Sequence, residues 1–424
     1  MRFWGITGTN GKTTTTWITA EFINAAKDRK CGYVTTVEVN TGARQFYTGY
    51  TTPPLAQLKE IFVEMEANGC TDCVMEVSSH AIHQHRTGDT VFSGGVFTNL
   101  SEDHLDYHKT MEAYFDVKLD FARQIAAAHP TTPDMGRRDL PPYVVCLDGG
   151  YGREMFNAVG NLAVNVIGVS AGGTETRRTS GTSRTQPAYD LSGLQLVGGY
   201  NKSNVLCAAA LAEAAGVEHE TIQAVIPTLK PRWGRLEEVF PSYEARGTKH
   251  KARIFVDFAH TPDGLEKVLS AVRGMMRDDS QVLHYLGNVE PQSNTRTLEH
   301  SNNSLWVVFG AGGDRDPMKR PLMGEACAKL ADRLVVTSDN PRSEDPLKII
   351  EAIVGGINRT IEQSEQSNTV FIEPDRKKAI EYALREAGEG DVVIIAGKGH
   401  ETTQEIKGVK YPFDDREIVR AFEG

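Results

Sequence analysis

The chain opens Arg2-Phe3-Trp4-Gly5-Ile6-Thr7-Gly8-Thr9-Asn10-Gly11-Lys12-Thr13-Thr14, and this stretch constrains the fold more than any other. A short apolar run leads into a glycine-rich turn, and the turn opens a helix with Ile18, Phe22 and Ala26 on one stripe. Backbone N–H groups from Gly8 to Thr14 can turn inward around an oxyanion, because a helix start leaves its first donors unpaired, and Lys12 adds a positive charge there. Thr13 then offers its hydroxyl to Mg2+. The spacing is a variant of G-x-x-x-x-G-K-[ST], since counting back from Gly11 puts Ile6 where the first glycine is expected. A strand before and a helix after set the stretch apart from an ordinary glycine-rich βα turn.

What else the chain handles is narrowed by charge. A formal net charge of -10 over 424 residues argues against nucleic acid or an anionic membrane as a partner, so anionic substrates must be held by local basic groups. No apolar run reaches the length of a membrane span, and the phosphate loop follows Met1 with no room for a signal peptide, so a cytoplasmic protein is expected. Six cysteines, among them Cys73, Cys146 and Cys207 inside apolar runs, read as small core residues rather than a disulfide framework. Cys70 and Cys73 form a lone C-x-x-C without a second pair, and no zinc is expected there.

Strands are predicted at 33–37, 73–77, 95–98, 143–147 and 164–168, and helices at 55–68 and 202–215, an alternation typical of a mostly parallel sheet. Residues 171–188 have no hydrophobic period and read as a mobile surface loop. The pattern breaks around Pro231-Arg232-Trp233-Gly234-Arg235, which places a domain boundary between 1–231 and 232–424. A second α/β series follows, with strands at 253–258, 305–309, 333–337 and 392–396 and helices at 262–276, 318–330, 346–359 and 375–387. The polar stretch 278–304 reads as an insertion. The fold class is therefore α/β: a P-loop, mostly parallel-sheet ATPase domain followed by a Rossmann-like α/β domain.

Four clusters after predicted strands carry chemistry. Glu76 ends a buried strand, where a carboxylate is costly unless it meets a cation, and it can share the Mg2+ of Thr13. Beyond it, His80, His83 and His85 lack a matching carboxylate cluster and read as a polar loop facing substrate. Thr98 to His108 and the Tyr114–Lys118 segment form the second and third clusters; taken alone, Lys118 reads as a solvated helix lysine. The fourth spreads over Asp257–Asp263, Gly310–Arg315, Asp339-Asn340-Pro341-Arg342 and Gly397-Lys398-Gly399-His400-Glu401. Its arginines and carboxylates suit a zwitterion. Arg315 stands where a dinucleotide fingerprint needs its third glycine, which argues against NAD.

These motifs, in this order, resemble the Mur ligases, most closely the MurE type, from Arg2 nearly to the end. The resemblance implies an ATP-dependent amide ligase of peptidoglycan precursor synthesis: a substrate carboxylate takes the γ-phosphoryl group, and the amine of an incoming amino acid displaces it. It implies that Gly8, Thr9, Asn10, Gly11, Lys12, Thr13, Thr14, Asn204, Arg235 and Asp257 hold ATP. Thr13 and Glu76 match ligands of one Mg2+ and His104 of a second. Lys118 matches a lysine carbamylated by CO2, which reverses its local reading. Thr51, Thr52, Ser78, Gln84 and Arg86 match positions that grip the muramoyl-peptide part of the acceptor, a muramoyl-dipeptide whose D-Glu carboxylate is the one joined. Arg315, Asp339, Asn340, Arg342, Gly397 and Glu401 match the amino-acid pocket, and the Arg342 fork suits the extra carboxylate of meso-diaminopimelate.

The partners implied are small molecules, acting on a monomer. Two departures stand out. Cys146-Leu147-Asp148-Gly149 replaces an Asn-x-Asp-Asp run near the adenine, and the family's N-terminal uridine-nucleotide domain has no counterpart in this sequence. If the chain is natively this short, acceptors lacking the nucleotide are expected to serve about as well as those carrying it; if it is a truncated form, UDP-linked substrate is expected to be used poorly unless the missing domain is supplied in trans. Two other readings stay open: a related ligase acting on a non-nucleotide acceptor, and a binding or regulatory protein that uses the P-loop as a switch.

Overall fold

The computed structural model describes residues 1–129, 131, 139–171, 189–242, 252–277, 303–364 and 368–423. The surface loop expected at 171–188 lies outside the described residues but for its first position, as does the expected insertion at 278–304 but for its last two. Two units emerge, Met1–Leu229 and Lys230–Gly424.

In the first unit the strands are β1 (Arg2–Thr7), β2 (Cys31–Val34), β3 (Val39–Asn40), β4 (Gln45–Phe46), β5 (Asp72–Glu76), β6 (Phe92–Phe97), β7 (Pro142–Cys146) and β8 (Asn165–Val169). They form one sheet in the order β4-β3-β2-β5-β1-β6-β7-β8, parallel except for the β3 and β4 edge. Helices α1 (Lys12–Ala25), α2 (Leu55–Ala67), α3 (Ser79–His83), α4 (Leu105–His108), α5 (Met111–Ala128), α6 (Gly152–Gly160), α7 (Gly199–Ala214) and α8 (His219–Val225) connect and cover them. Every residue of β5 is buried, as strands covered on both faces require. The chain winds outward from β1 in both directions, through β5 on one side and β6 on the other, so a crevice opens at the carboxyl end of β1.

The strand expected to run to residue 37 stops at Val34. Thr35 Oγ1 accepts from the amides of Val37 and Glu38, and that local turn sends the chain back as β3. At the opposite end of the sheet, Asp72 is buried and gathers Trp4 Nε1 at 2.9 Å, Thr71 Oγ1 at 2.7 Å, Arg29 at 2.6 Å and Arg2 at 3.1 Å. Burial works to raise its carboxyl pKa, but the hydrogen bonds from Arg29, Trp4 and Thr71, with the Arg29 charge, hold it below the usual aspartate value.

The second unit has β9 (Glu237–Glu238), β10 (Arg253–Asp257), β11 (Leu305–Phe309), β12 (Arg333–Val336), β13 (Thr369–Ile372) and β14 (Val392–Ala396) in a sheet ordered β13-β12-β11-β14-β10-β9, parallel but for β9. A hairpin of β15 (Thr403–Ile406) and β16 (Val409–Pro412) stands apart from that sheet. Its helices are α9 (Pro262–Arg277), α10 (Lys319–Leu330), α11 (Pro346–Gln363), α12 (Arg376–Glu386) and α13 (Asp415–Ala421). On α9 the buried Leu265, Val268, Leu269, Val272 and Met275 keep the helical spacing that turns one face to the sheet. Asp345 caps α11 by accepting from Leu347 N, with Pro346 at the first helical position. Topology reverses between β11 and β14, which sets a second crevice at their carboxyl ends. Among the described residues no helix is long and apolar enough to cross a membrane, and all six cysteines are free and buried.

Candidate active site

At the carboxyl end of β1 the backbone adopts conformations that only glycine accepts cheaply, with φ of 149° at Gly8 and 83° at Gly11. A Cβ at Gly8 would lie 1.9 Å from Thr98 Oγ1, and one at Gly11 would lie 2.4 Å from Asn204 Oδ1. The loop is therefore a cradle with both walls occupied by polar side chains. Its rim is fixed by Asn99, which accepts from Asn10 N and donates to Asn10 O, each at 2.9 Å, while Thr98 donates to the same carbonyl at 2.6 Å. Lys12 Nζ curls over the loop and donates to Gly8 O at 3.1 Å and Thr9 O at 2.8 Å. Thr14 follows, half-buried, in the first turn of α1.

Glu76 is fully buried, and its protein partners are hydroxyl and amide donors. Its Oε1 accepts from Thr13 Oγ1 at 2.7 Å and Thr36 N at 2.8 Å, and its Oε2 accepts from Thr36 Oγ1 at 3.1 Å. Charge-assisted hydrogen bonds thus offset its desolvation. Thr36, which sequence reasoning missed, arrives from the turn after β2. Nothing in its immediate neighbours marks it.

Lys118 on α5 is buried, not solvated as its local sequence suggests. Its Nζ donates to Gly8 O at 2.8 Å and lies 4.7 Å from the centre of the Tyr114 ring, whose hydroxyl is 3.2 Å from Thr9 Oγ1. Burial first, then the Lys12 ammonium, pull the Lys118 pKa well below the usual lysine value. His104 has a left-handed backbone at the start of α4, with its Nε2 3.4 Å from Asp103 Oδ2. Desolvation of the ring, with the charges of Lys12 and Lys118 and the neighbouring His80, pushes its pKa down to about 4 against the pull of Asp103, though the side chain keeps an exposed edge.

The polar loop expected at 80–85 is instead the short helix α3, capped by Ser78 Oγ. His80 packs its ring 4.2 Å from Tyr107 and 4.9 Å from His104, while His85 is exposed. The five residues expected to grip an acceptor are brought together. Thr52 Oγ1 donates to Glu76 O at 2.9 Å and accepts from Ser78 N at 3.0 Å; Arg86 reaches Gln84 Oε1 at 2.9 Å and Thr52 O at 3.3 Å. Thr51 Oγ1 lies 3.0 Å from Thr36 Oγ1 and can donate to it, since the one proton of Thr36 goes to Glu76. Asp148, in the run that departs from Asn-x-Asp-Asp, accepts from Ser170, Ala171 N and Ser203.

In the second unit Asp257 ends β10 and receives Ala259 N at 2.7 Å and Leu236 N at 2.6 Å. Burial raises its carboxyl pKa, against Arg235 and those two amides. Arg235 lies 4.6 Å over the Phe258 ring, on a turn where Gly234 (φ 60°) meets Gly399 (φ 53°) so closely that a Cβ at Gly234 would stand 2.2 Å from the Gly399 carbonyl carbon. Arg342, also with positive φ, donates to Gly313 O at 2.6 Å and lies 3.6 Å from Glu405. Arg315 is exposed, with its Nη1 on Asp314 O. Gly397 (φ 116°) passes so near Asp339 that a Cβ would stand 2.6 Å from Oδ2. Asn340 donates to Glu401 Oε2 at 2.8 Å. Buried Lys398, named within the Gly397–Glu401 run but given no role from sequence, lies among them.

A glycine cradle with a lysine folded over it, backed by a threonine and a strand-end carboxylate, defines a P-loop protein that handles phosphate groups. The Mur ligase middle domain matches residues 6–212, and the Mur ligase glutamate ligase domain matches residues 290–399. The chain belongs to the Mur ligase family, and is thus a ligase. It is 37% identical to the UDP-N-acetylmuramoyl-L-alanyl-D-glutamate--2,6-diaminopimelate ligase of Synechococcus elongatus, over 99% of this chain and 76% of that protein. It is equally 37% identical to the enzyme of that name from Geobacillus kaustophilus, over 98% and 78%. A solved structure of a ligase of the same name matches with a TM-score of 0.57 at 29% identity, covering 99% of this chain and 77% of that one. Escherichia coli FolC, solved in complex with DHPP and ADP, shares the fold with a TM-score of 0.56 at 16% identity, over 94% and 86%.

Proposed function

We propose that this chain joins meso-diaminopimelate to the D-Glu carboxylate of a muramoyl-dipeptide acceptor, at the expense of ATP, as a monomer in the cytoplasm. The observation that carries the reading is the Thr13 to Glu76 hydrogen bond of 2.7 Å beside the glycine cradle, which puts two hard oxygen donors next to a phosphate-sized nest. Gly8 to Thr14 and Lys12 hold the ATP phosphates against Asn204. Thr13 and Glu76 hold one Mg2+, and neutral His104 helps hold a second. A bound Mg2+ supplies charge neutralisation between two approaching anions.

Lys118 serves as its carbamate. Burial and the Lys12 charge favour the neutral amine at its Nζ, which can add CO2 and release a proton, and the product is an anion suited to orienting metal. Arg235 and Asp257 are the ATP-binding residues of the second unit. Thr51, Thr52, Ser78, Gln84 and Arg86 receive the acceptor. Its carboxylate takes the γ-phosphoryl group, and the amine of the amino acid then displaces phosphate. Arg315, Asp339, Asn340, Arg342, Gly397 and Glu401 form the amino-acid pocket, and the names of the relatives support diaminopimelate as its occupant.

Phosphate release is the test, measured with ATP, Mg2+ and a panel of UDP-muramoyl-dipeptide, free muramoyl-dipeptide and D-Glu-terminated peptides, each with and without diaminopimelate. Diaminopimelate-dependent release on a muramoyl acceptor is expected, and Lys12→Ala should abolish it. Absence of such release on every acceptor overturns the reading.

A further inference from the structure

Lys398 is fully buried between Gly397 and Gly399, at the end of a strand whose five residues are all apolar and buried. An ammonium so placed must recover its lost hydration from protein acceptors. Its Nζ donates to Asn340 Oδ1 at 3.0 Å and to Glu401 Oε2 at 3.1 Å, and it lies 3.7 Å from Asp339 Oδ1. It is therefore a single cation joining three residues of the pocket.

We propose that Lys398 is the positioning residue of the amino-acid pocket, fixing Asn340 and Glu401 in the geometry that receives the substrate without itself touching it. This rests on the pocket reading above. A carboxamide can sit either way round, and its neighbours decide which. Lys398 Nζ can only donate, and so can Glu405 N, which lies 2.9 Å from the same Asn340 oxygen. Both therefore demand Oδ1 on their side, and Nδ2 is left facing Glu401 Oε2 at 2.8 Å.

The consequence reaches Glu401. Its Oε2 takes both the Asn340 and the Lys398 bonds, while Oε1 takes none among the described residues and is the oxygen left for an ammonium group. Remove the Lys398 charge and two things change together. The Asn340 amide loses one of the two donors that fix its orientation, and the Asp339 and Glu401 carboxylates lose the cation between them. Arg376 also acts on both carboxylates through its charge, but its hydrogen bonds go to Asp415, at 2.8 Å each, and to Ala396 O, so it does not take over the donation to Asn340 and Glu401.

The test is Lys398→Met in the full chain, assayed by phosphate release with ATP, muramoyl-dipeptide acceptor and varied diaminopimelate. A positioning role predicts a rise of about 20-fold or more in KM for diaminopimelate, with KM for ATP held within about twofold. An unchanged diaminopimelate KM, or an ATP KM that rises in step, overturns the proposal. Glu401→Gln separates the two levels of argument. If it leaves the diaminopimelate KM unchanged, the pocket reading fails and this inference falls with it; if it raises that KM while Lys398→Met does not, only this inference fails. Should Lys398→Met not fold, Lys398→Arg decides. It keeps the charge, but its longer stem and planar, fixed donors do not reproduce the directions of the ammonium's two bonds in the same buried space, so a selective rise in diaminopimelate KM of about fivefold or more is expected, and no rise refutes the role.

Discussion

Replacing Glu76 by glutamine separates the fold from the chemistry at one position. The amide has the shape of the carboxylate, and the hydrogen bonds around it survive the exchange. Oε1 still accepts from Thr13 Oγ1 and Thr36 N, and the new amino group takes the place of Oε2, where Thr36 Oγ1 can turn from donor to acceptor. Three charge-assisted bonds become neutral ones, which costs about 0.5–1 kcal/mol each, and relief from burying an ionised group offsets much of that. The net change in stability is about 1 kcal/mol or less, a shift of roughly 2–4 °C in Tm for a unit of this size.

Catalysis responds quite differently. A glutamine is a poor ligand for Mg2+, and losing about 3–4 kcal/mol of charge stabilisation corresponds to a fall of about 10²–10³ in kcat at 1.36 kcal/mol per decade. Thermal unfolding by circular dichroism and phosphate release over a Mg2+ titration read the two quantities on one preparation. Glu76→Gln with kcat within tenfold of the parent and an unchanged Mg2+ requirement would refute the assignment of Glu76 to the metal. So would a fall in Tm large enough to account for the loss of activity.

Other perturbations report on separate parts of the molecule. Lys118→Ala should be inactive and partly rescued by formate or acetate, and enzyme stripped of CO2 should regain activity with bicarbonate; unmodified lysine found by intact mass in fully active enzyme excludes the carbamate. Arg342→Ala should raise the KM for diaminopimelate at least tenfold while weak use of lysine changes little, because only diaminopimelate carries the second carboxylate that the fork pairs with; equal effects on both amino acids count against that pairing. Asp72 has a folded pKa below its unfolded value of about 3.9, so its contribution is full above that value and is lost as pH falls through the folded one. Asp72→Asn should cost about 3 kcal/mol at neutral pH, by breaking a buried ion pair, and should flatten the acid limb of stability below about pH 4; an acid limb identical to the parent's would show that Asp72 does not titrate in this way.

Where sequence is local, it was legible. The runs 305–309 and 392–396 are strands as read, because four or five consecutive apolar residues buried on both faces leave little ambiguity. The hairpin of β15 and β16 escaped notice since Thr403-Gln404-Glu405-Ile406 and Val409-Lys410-Tyr411-Pro412 are largely polar or exposed and carry no apolar run to announce them. β13 is a short strand at a sheet edge, with exposed and half-exposed positions. The same distinction governs the site. The cradle is contiguous and could be read from order alone. Thr36, 40 residues from Glu76, and Lys398, whose three partners lie on two separate loops, depend on tertiary placement. Lys118 misled in the same way, for a helix lysine is marked as buried only by what surrounds the helix.

The meeting of Gly234 and Gly399 has a mechanical consequence. The turn carrying Arg235 and the turn carrying Glu401 touch main chain to main chain, with no side chain between them. Side chains absorb small displacements by changing rotamer, whereas two abutting backbones have no such slack, and close-packed matter transmits the strain. A shift of either turn is thus passed whole to the other, as between two meshed gear teeth. The turn of Arg235 and the turn of Glu401 move as one piece.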